Sequence, residues 1–311
     1  ISPHKFVGGP GTPGVLAVRT SLLRNSVPAV VGGGTVAFVN RAGHRYLADP
    51  AHREEGGTPA IVESIRAGLV FALQQAVGFD TIAAHEADFV QRAIRVWREH
   101  PRIEVLGNLD SDRLSIVSFL IRGSRYPYLH YNAVVAMLND LFGIQARGGC
   151  SCAGPYGHRL LGIDGTHSQD ISDHIAQGCE GVKPGWVRVN FNYFLTEDEF
   201  TYIVRAVQLL ADHGERLLPQ YGFDPDTGLW RHRAAARQPD LRLTDVRFTD
   251  SGDMAWRHGA GPAAPSLAEA LQRARHVLEQ APTEDRATDS PVTFDALRWF
   301  ELPLASMSDP R

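Results

Sequence analysis

Three side chains near the start of the sequence, Ser2, His4 and Lys5, could carry covalent chemistry. A glycine-rich loop, Gly8-Gly9-Pro10-Gly11, follows them. A nucleotide-binding P-loop places its glycines before the lysine, so this order excludes that motif. A lysine on a tight turn suits Schiff-base formation with a flat cofactor, and the serine and histidine could hydrogen-bond a phosphate. The spacing alone also fits a surface lysine in a glycine turn.

A second candidate centre is Cys150-Ser151-Cys152, which follows Arg147 and two glycines. Two cysteines could form half of a metal site, but no second pair lies at the spacing that such sites use, so we predict no metal. A cysteine of this segment could also be a catalytic nucleophile in its thiolate form. From the residues alone, small side chains packed in a glycine turn explain the segment equally well.

The overall composition is that of a globular protein. The chain has 311 residues, of which 43% are hydrophobic and 21% charged, and its net charge is −4. This charge gives no basic excess, so we predict no nucleic-acid partner. No apolar run approaches the roughly 20 residues that span a bilayer, so we predict no membrane span. Three cysteines do not make a disulfide framework, which favours a reducing, cytoplasmic location.

The elements that must position these residues follow an α/β pattern. An apolar run at 15–18 predicts a buried strand, and a β-rich run at 35–39 predicts a second strand. Residues at helical spacing predict a helix over 60–77, which ends at Gly78, and a second helix over 80–99. Further along, the sequence predicts strands over 103–106, 114–122 and 186–194 and helices over 132–142 and 196–217. Beyond residue 221 the chain is polar, with a possible strand over 241–248 and a helix over 266–280.

Four motifs in sequence order resemble those of the class V aminotransferases, a pyridoxal phosphate (PLP)-dependent family of fold type I, and in particular of its cysteine desulfurase-like members. The lysine motif is Ser2-Pro3-His4-Lys5. The other three are Gly32-Gly33-Gly34, Arg53-Glu54-Glu55-Gly56-Gly57-Thr58-Pro59 and Arg147-Gly148-Gly149-Cys150-Ser151-Cys152-Ala153. Arg188 fits the arginine that precedes the family's Asn-Thr segment, although Leu195 stands where the family has Asn.

The resemblance implies a role for each matched residue. Lys5 would bind PLP as a Schiff base and shuttle the substrate α-proton, while Ser2 and His4 would contact the cofactor phosphate. Gly57 and Thr58 would contact a phosphate in the neighbouring subunit's site, which implies a homodimer. Arg188 would bind the substrate α-carboxylate, with Arg147 as a second positive charge nearby. Cys152 would take the position of the desulfurase nucleophile.

The resemblance also implies a domain organisation. We expect 1–98 to be the C-terminal part of the PLP-binding large domain, 99–220 to be the small α/β domain and 221–311 to be a polar C-terminal extension. In the family, the residues that hold the pyridine ring precede the lysine motif, and only four residues precede Lys5 here. We therefore expect the chain to be the C-terminal portion of such a protein, to expose apolar surface in 1–98 and to be inactive by itself.

The implied reaction is desulfuration of cysteine, with a persulfide on Cys152, release of alanine and transfer of sulfur to an acceptor protein. Lyase and epimerase relatives share the lysine motif without needing this cysteine, so the motif does not decide between these reaction types. Two alternatives stay open. One is a class V aminotransferase that transfers an amino group to a keto acid and does not need Cys152. The other is a truncated, non-catalytic interaction module.

Overall fold

The computed structural model describes residues 1–150, 154–234, 243–256, 265–282 and 297–302. They form two compact units, residues 1–83 and 84–311. No single helix in these ranges is long and apolar enough to cross a membrane, although two consecutive helices reach that length and composition when they are counted together. The three-part division expected from the sequence stays a prediction.

Unit 1 consists of short elements around one long helix. In chain order these are a 3-10 turn (Pro3–Lys5), the strands β1 (Val36–Asn40) and β2 (Gly43–Tyr46), which form an antiparallel hairpin, and the helices α1 (Pro50–Glu54) and α2 (Ile61–Val77). Helix α2 ends at Gly78, whose φ of 91° is easily adopted only by glycine. The predicted helix and the strand over 35–39 are thus confirmed.

The prediction of a buried strand over 15–18 is wrong. Only Val15 forms a backbone hydrogen bond across the chain there, as its N–H donates to the Ile1 carbonyl at 3.0 Å. A strand needs a neighbour to receive its hydrogen bonds, and none in the described residues pairs with residues 16–18. Leu16 is consequently 85% exposed.

Much of the apolar surface of unit 1 faces solvent, as the sequence led us to expect for this region. The apolar stripe of α2 that the helical spacing predicted is exposed at Ile61, Ile65 and Leu69. The opposite side of the helix buries Ala67 and Val70. The helix therefore leaves most of its large aliphatic residues without packing partners within its own unit.

Unit 2 combines an antiparallel sheet with helices. Its strands are β3 (Ile103–Val105), β4 (Ile116–Ile121), β5 (Arg147–Gly149), β6 (Trp186–Asn190), β7 (Tyr221–Asp224), β8 (Leu229–His232), β9 (Arg247–Phe248) and β10 (Met254–Ala255). Its helices are α3 (Phe79–Arg98), which begins at the boundary between the units, α4 (Tyr131–Phe142), α5 (Gly154–Leu161), α6 (Gly165–Ala176), α7 (Glu197–His213) and α8 (Leu267–Gln280). The helices and strands predicted over 80–217 are present, with the last helix ending at residue 213.

The central sheet has the order β3-β4-β6-β5 and two different faces. On one face, Val117 pairs with Val189 and Phe119 with Val187, and these residues join the main hydrophobic core under α4 and α7. Because side chains alternate along a strand, Ser118, Trp186 and Arg188 lie on the other face. The sheet therefore has an apolar core on one side and a mixed polar surface on the other.

The described parts of 221–311 pack into unit 2. Trp230 of β8, Leu278 of α8 and Phe300 are buried members of the same core. The Glu301 N–H donates to the Tyr128 carbonyl at 3.2 Å, and Glu301 Oε1 accepts the N–H groups of Arg125 and Tyr126 at 2.6 and 2.7 Å. The helix predicted over 266–280 is confirmed, whereas the strand over 241–248 is reduced to β9, with residues 241–242 outside the described ranges.

Candidate functional site

The lysine motif forms a single 3-10 turn that presents its reactive groups to solvent. The Lys5 N–H donates to the Ser2 carbonyl at 3.0 Å, and the Phe6 N–H donates to the Pro3 carbonyl at 2.9 Å. Pro3 is buried, whereas His4 and Lys5 are exposed. An amine, an imidazole and a hydroxyl are thus held on one turn by backbone hydrogen bonds alone.

A close approach of two backbone segments fixes this turn. A Cβ on Gly9 would lie 1.9 Å from the Pro3 carbonyl oxygen, so no other residue fits at position 9. Thr12 Oγ1 donates to the Gly9 carbonyl at 2.7 Å. The glycines after the lysine therefore let the loop fold back against the turn that holds Lys5.

Side chains of helix α2 contact the same loop. Arg66 Nη1 donates to the Pro10 carbonyl at 2.9 Å, and the rings of Phe6 and Phe71 meet edge to face at 5.9 Å. Val70 lies 3.9 Å from the Cβ position of Gly8. The turn thus rests on an ordered helix, which is how a rigid element positions a functional loop.

Two of the family-like motifs meet elsewhere in unit 1. The Gly57 N–H donates to the Gly33 carbonyl at 2.7 Å, and a Cβ on Gly34 would lie 3.3 Å from the Gly57 carbonyl oxygen. The hydrogen bond uses the Gly57 N–H, so Thr58, which is exposed, is the better phosphate donor of the predicted pair. The contact explains why both segments are rich in glycine.

In unit 2, strand pairing places the two predicted arginines side by side. Arg147 of β5 is the register partner of Arg188 of β6, and Ser118 of β4 is the partner of Arg188 on the other side. Residues that are partners across a sheet project from the same face. Two guanidinium groups and a hydroxyl therefore form one row across three strands.

Arg188 lines a cleft of about 370 Å³ in unit 2. The cleft lies between the polar face of the sheet, residues of α5 and the loop over 107–113, and its walls include Trp186, Tyr156 and Arg113. A Cβ on Gly157 would lie 3.3 Å from the Trp186 ring, so this glycine lets α5 approach the sheet closely. The sequence analysis missed these three wall residues, although Trp186 could have been found because it lies two positions before Arg188 on the same face.

The cysteine motif continues from the strand that carries Arg147. A Cβ on Gly148 would lie 2.7 Å from Asn132 Oδ1, so β5 packs closely on α4. Cys150 is exposed and has a free thiol. The predicted nucleophile Cys152 lies outside the described residues. Burial raises the pKa of the Cys179 thiol, so this third cysteine is not activated.

The predicted residues thus form two groups. Ser2, His4 and Lys5 share one turn in unit 1, and Arg147 and Arg188 share one row in unit 2. In the described ranges, no cluster of three or more His, Cys, Asp or Glu side chains could hold a metal ion.

Known proteins show clear similarity to this chain. A sequence model of the family "Aminotransferase class-V" matches residues 1–200. A probable cysteine desulfurase of Halobacterium salinarum is 28% identical over 206 residues, which is 66% of this chain and 43% of that protein. A probable cysteine desulfurase of Streptomyces coelicolor is 30% identical over 49% of this chain and 35% of that protein.

Among solved structures, the apo cysteine desulfurase of Thermococcus onnurineus NA1 aligns with a TM-score of 0.47 and 26% identity, over 60% of this chain and 39% of that chain. The chain thus spans less than half the length of the curated relatives that it matches.

Proposed function

Since the chain belongs to the class V aminotransferase family, we propose that it is part of a PLP-dependent enzyme that acts on an amino acid, and that the reaction is desulfuration of cysteine. Family membership confirms the predicted α/β fold class, PLP-dependent fold type I. One observation carries the proposal: the side chain of Lys5 is exposed on a tight turn, and that turn can form only because residue 9 is glycine. The names of the relatives support the reaction type.

The groups on the lysine turn fit PLP by their chemistry. An exposed amine suits an aldehyde carbon, and the Ser2 hydroxyl and His4 ring nitrogens suit a phosphate. When it is bound, the cofactor supplies an electron sink for the carbanion beside the substrate carboxylate. Lys5 Nζ would take the substrate α-proton and return a proton at the end of the reaction.

Arg188 would bind the substrate α-carboxylate. Its guanidinium offers two parallel N–H donors, which match the two oxygens of a carboxylate. The neighbouring Arg147 adds a second positive charge to the same row. A fixed carboxylate orients the bonds at the α-carbon, and that orientation selects which of them breaks.

Cys152 would carry the sulfur chemistry. Its thiolate attacks the substrate sulfur, the carbon–sulfur bond breaks and its electron pair stays on carbon, where it takes up a proton to give alanine. The product on the enzyme is a persulfide at Cys152, which an acceptor protein would then remove. We also propose a homodimer, with Gly57 and Thr58 serving the partner's phosphate site, and a cytoplasmic location.

The test uses the intact gene product that contains this chain, incubated with cysteine and a thiol reductant, which reduces the persulfide and releases its outer sulfur as sulfide. We expect alanine and sulfide, and we expect Cys152→Ser to reduce both at least 100-fold while the cofactor absorbance is unchanged. Cys179→Ser is the matched control, because that thiol is partly buried and not activated. Borohydride reduction followed by mass spectrometry is expected to leave the cofactor on Lys5.

Two other results would replace this proposal. Amino transfer to a keto acid that Cys152→Ser leaves unchanged would make the protein an aminotransferase. If borohydride labels no lysine of the intact protein, the interaction-module alternative gains support and PLP chemistry is excluded.

A further inference from the structure

The cleft beside Arg188 is larger than a carboxylate site requires. Its volume is about 370 Å³, within the range of about 300–1,000 Å³ that small-molecule pockets occupy. Arg188 lies on β6, whereas the loop over 107–113 forms another wall. The cleft thus has space and side chains that the binding of one α-carboxylate does not use.

Two buried donors in the cleft wall have no acceptor. Arg113 Nε and Trp186 Nε1 are both buried and have no hydrogen-bond partner in the structure. A buried donor without an acceptor costs roughly 1–3 kcal/mol. Both atoms are closed to water, so they do not contact a ligand themselves, but two unpaired N–H dipoles leave this wall electropositive.

The guanidinium of Arg113 is held in place. Its Nη2 donates to the Asn108 carbonyl at 2.6 Å. Gly107, at the foot of the loop, has a φ of 92°, and both Arg113 Nη2 and Tyr156 Oη lie within 3.6 Å of its Cβ position. The Arg113 guanidinium and the Tyr156 hydroxyl therefore both lie next to Gly107, and a larger side chain at position 107 would crowd them.

The charge balance of the cleft favours an anion. Arg113 and Arg188 line it, against the single carboxylate of Asp112. Asp112 is exposed, so solvent screens it, whereas Arg113 is partly buried. Arginine binds planar oxyanions through paired N–H groups, which suits a second carboxylate.

We propose that this cleft binds a dicarboxylate, with one carboxylate on the guanidinium of Arg188 and the second on that of Arg113. The role of Arg188 rests on the function proposed above, whereas the site at Arg113 does not. The ligand class is a small, flexible dicarboxylic acid or the corresponding amino acid. Arg113 would then determine which substrate or competing acid the enzyme accepts.

The test compares the dicarboxylates malonate, succinate, glutarate and adipate with the monocarboxylates of equal chain length. Binding to the intact gene product is measured by calorimetry, without added amino acid. We expect at least one dicarboxylate to bind ten-fold or more tightly than its monocarboxylate. We expect Arg113→Gln to remove that difference and leave the monocarboxylate affinity unchanged. Arg159→Gln, an exposed arginine of α5 outside the cleft, is the matched control.

The outcomes separate this inference from the proposed function. If Arg113→Gln changes no affinity, or if no dicarboxylate exceeds its monocarboxylate, the Arg113 site is wrong whatever Arg188 does. If Arg188→Gln leaves monocarboxylate binding intact, the carboxylate role of Arg188 is wrong, and the dicarboxylate proposal fails with it. Circular dichroism of each variant, with Arg113→Lys as a second variant, shows that the fold is retained.

Discussion

At the scale of single residues, the position of Lys5 depends on a glycine that no other residue can replace. The sequence predicted a tight loop after Lys5, but it could not tell which glycine is indispensable, because that depends on a contact with Pro3 six residues earlier. The structure assigns this role to Gly9 by the lack of space around it. Gly14 in the same segment has no such contact, since its nearest neighbour lies 3.8 Å from the Cβ position.

Gly9→Ala is therefore expected to displace the lysine turn, because the added methyl group would lie 1.9 Å from a carbonyl oxygen. We expect a local cost of about 3 kcal/mol or more. Borohydride labelling of Lys5 in the intact gene product, followed by mass spectrometry, should fall at least ten-fold. Gly14→Ala should label normally, and equal labelling of the two variants would contradict the assigned role of Gly9.

At the scale of elements, periodicity predicted α2, α3, α4, α7 and α8 but missed α1, α5 and α6, and it predicted the strands less well. Helix α7 begins with a capping box, in which Thr196 and Glu199 cap each other's backbone N–H groups. The failed strand over 15–18 shows the limit: an apolar run does not contain its own pairing partner. For the same reason, the row of Ser118, Arg188 and Arg147 could not be found before the strand register was known.

Helix α4 offers a test of a buried cap. His130 precedes it with a fully buried ring: Nδ1 accepts the Asn132 N–H and Nε2 lies 3.2 Å from the Gly181 carbonyl. Burial lowers the pKa of His130 to about 3, partly offset by that carbonyl. The folded state therefore holds the neutral ring. The stability that this gives is complete above about pH 6.5, where the unfolded histidine is neutral, and is lost as the pH falls towards 3.

We expect the free energy of unfolding of unit 2 to fall by about 2 kcal/mol between pH 7.5 and 5.0 because of His130. Urea unfolding followed by tryptophan fluorescence measures it, because all five tryptophans lie in unit 2. His130→Gln should be less stable at pH 7.5 but lack this pH slope. His276→Gln, an exposed histidine of α8, should keep it. A slope that persists in His130→Gln would show that other groups cause it.

At the scale of the whole molecule, the motifs were sufficient to predict the family and fold class, whereas the packing of the C-terminal part was not predictable. Polar composition suggested an extension, yet a few apolar residues spaced far apart, among them Trp230, Leu278 and Phe300, reach the core. Some contacts of this part reach far back along the chain: the ring centroid of Phe300 lies 4.5 Å from that of His130, and Trp299 Nε1 donates to the Val182 carbonyl at 3.1 Å. Local sequence patterns do not contain contacts of that range.

Adjacent residues of α8 test whether this part stabilises unit 2. Leu278 is completely buried and Val277 is 41% exposed. Leu278→Ala should lower the free energy of unfolding by about 2–5 kcal/mol, because it leaves a cavity in the core. Val277→Ala should change it by about 0.5 kcal/mol or less. The same fluorescence measurement applies, and equal effects of the two substitutions would show that α8 does not belong to the core.

The register of β5 and β6 has a thermodynamic consequence for the ligand-free protein. Like charges directly opposite each other destabilise a strand pair, so Arg147 and Arg188 oppose the pairing that brings them together. A bound anion neutralises that repulsion only in the folded sheet, so it shifts the folding equilibrium towards the native state. Binding of a carboxylate at the proposed Arg188 site would therefore stabilise the edge of the sheet, and sulfate or phosphate in a buffer would raise the free energy of unfolding of unit 2 in the same way.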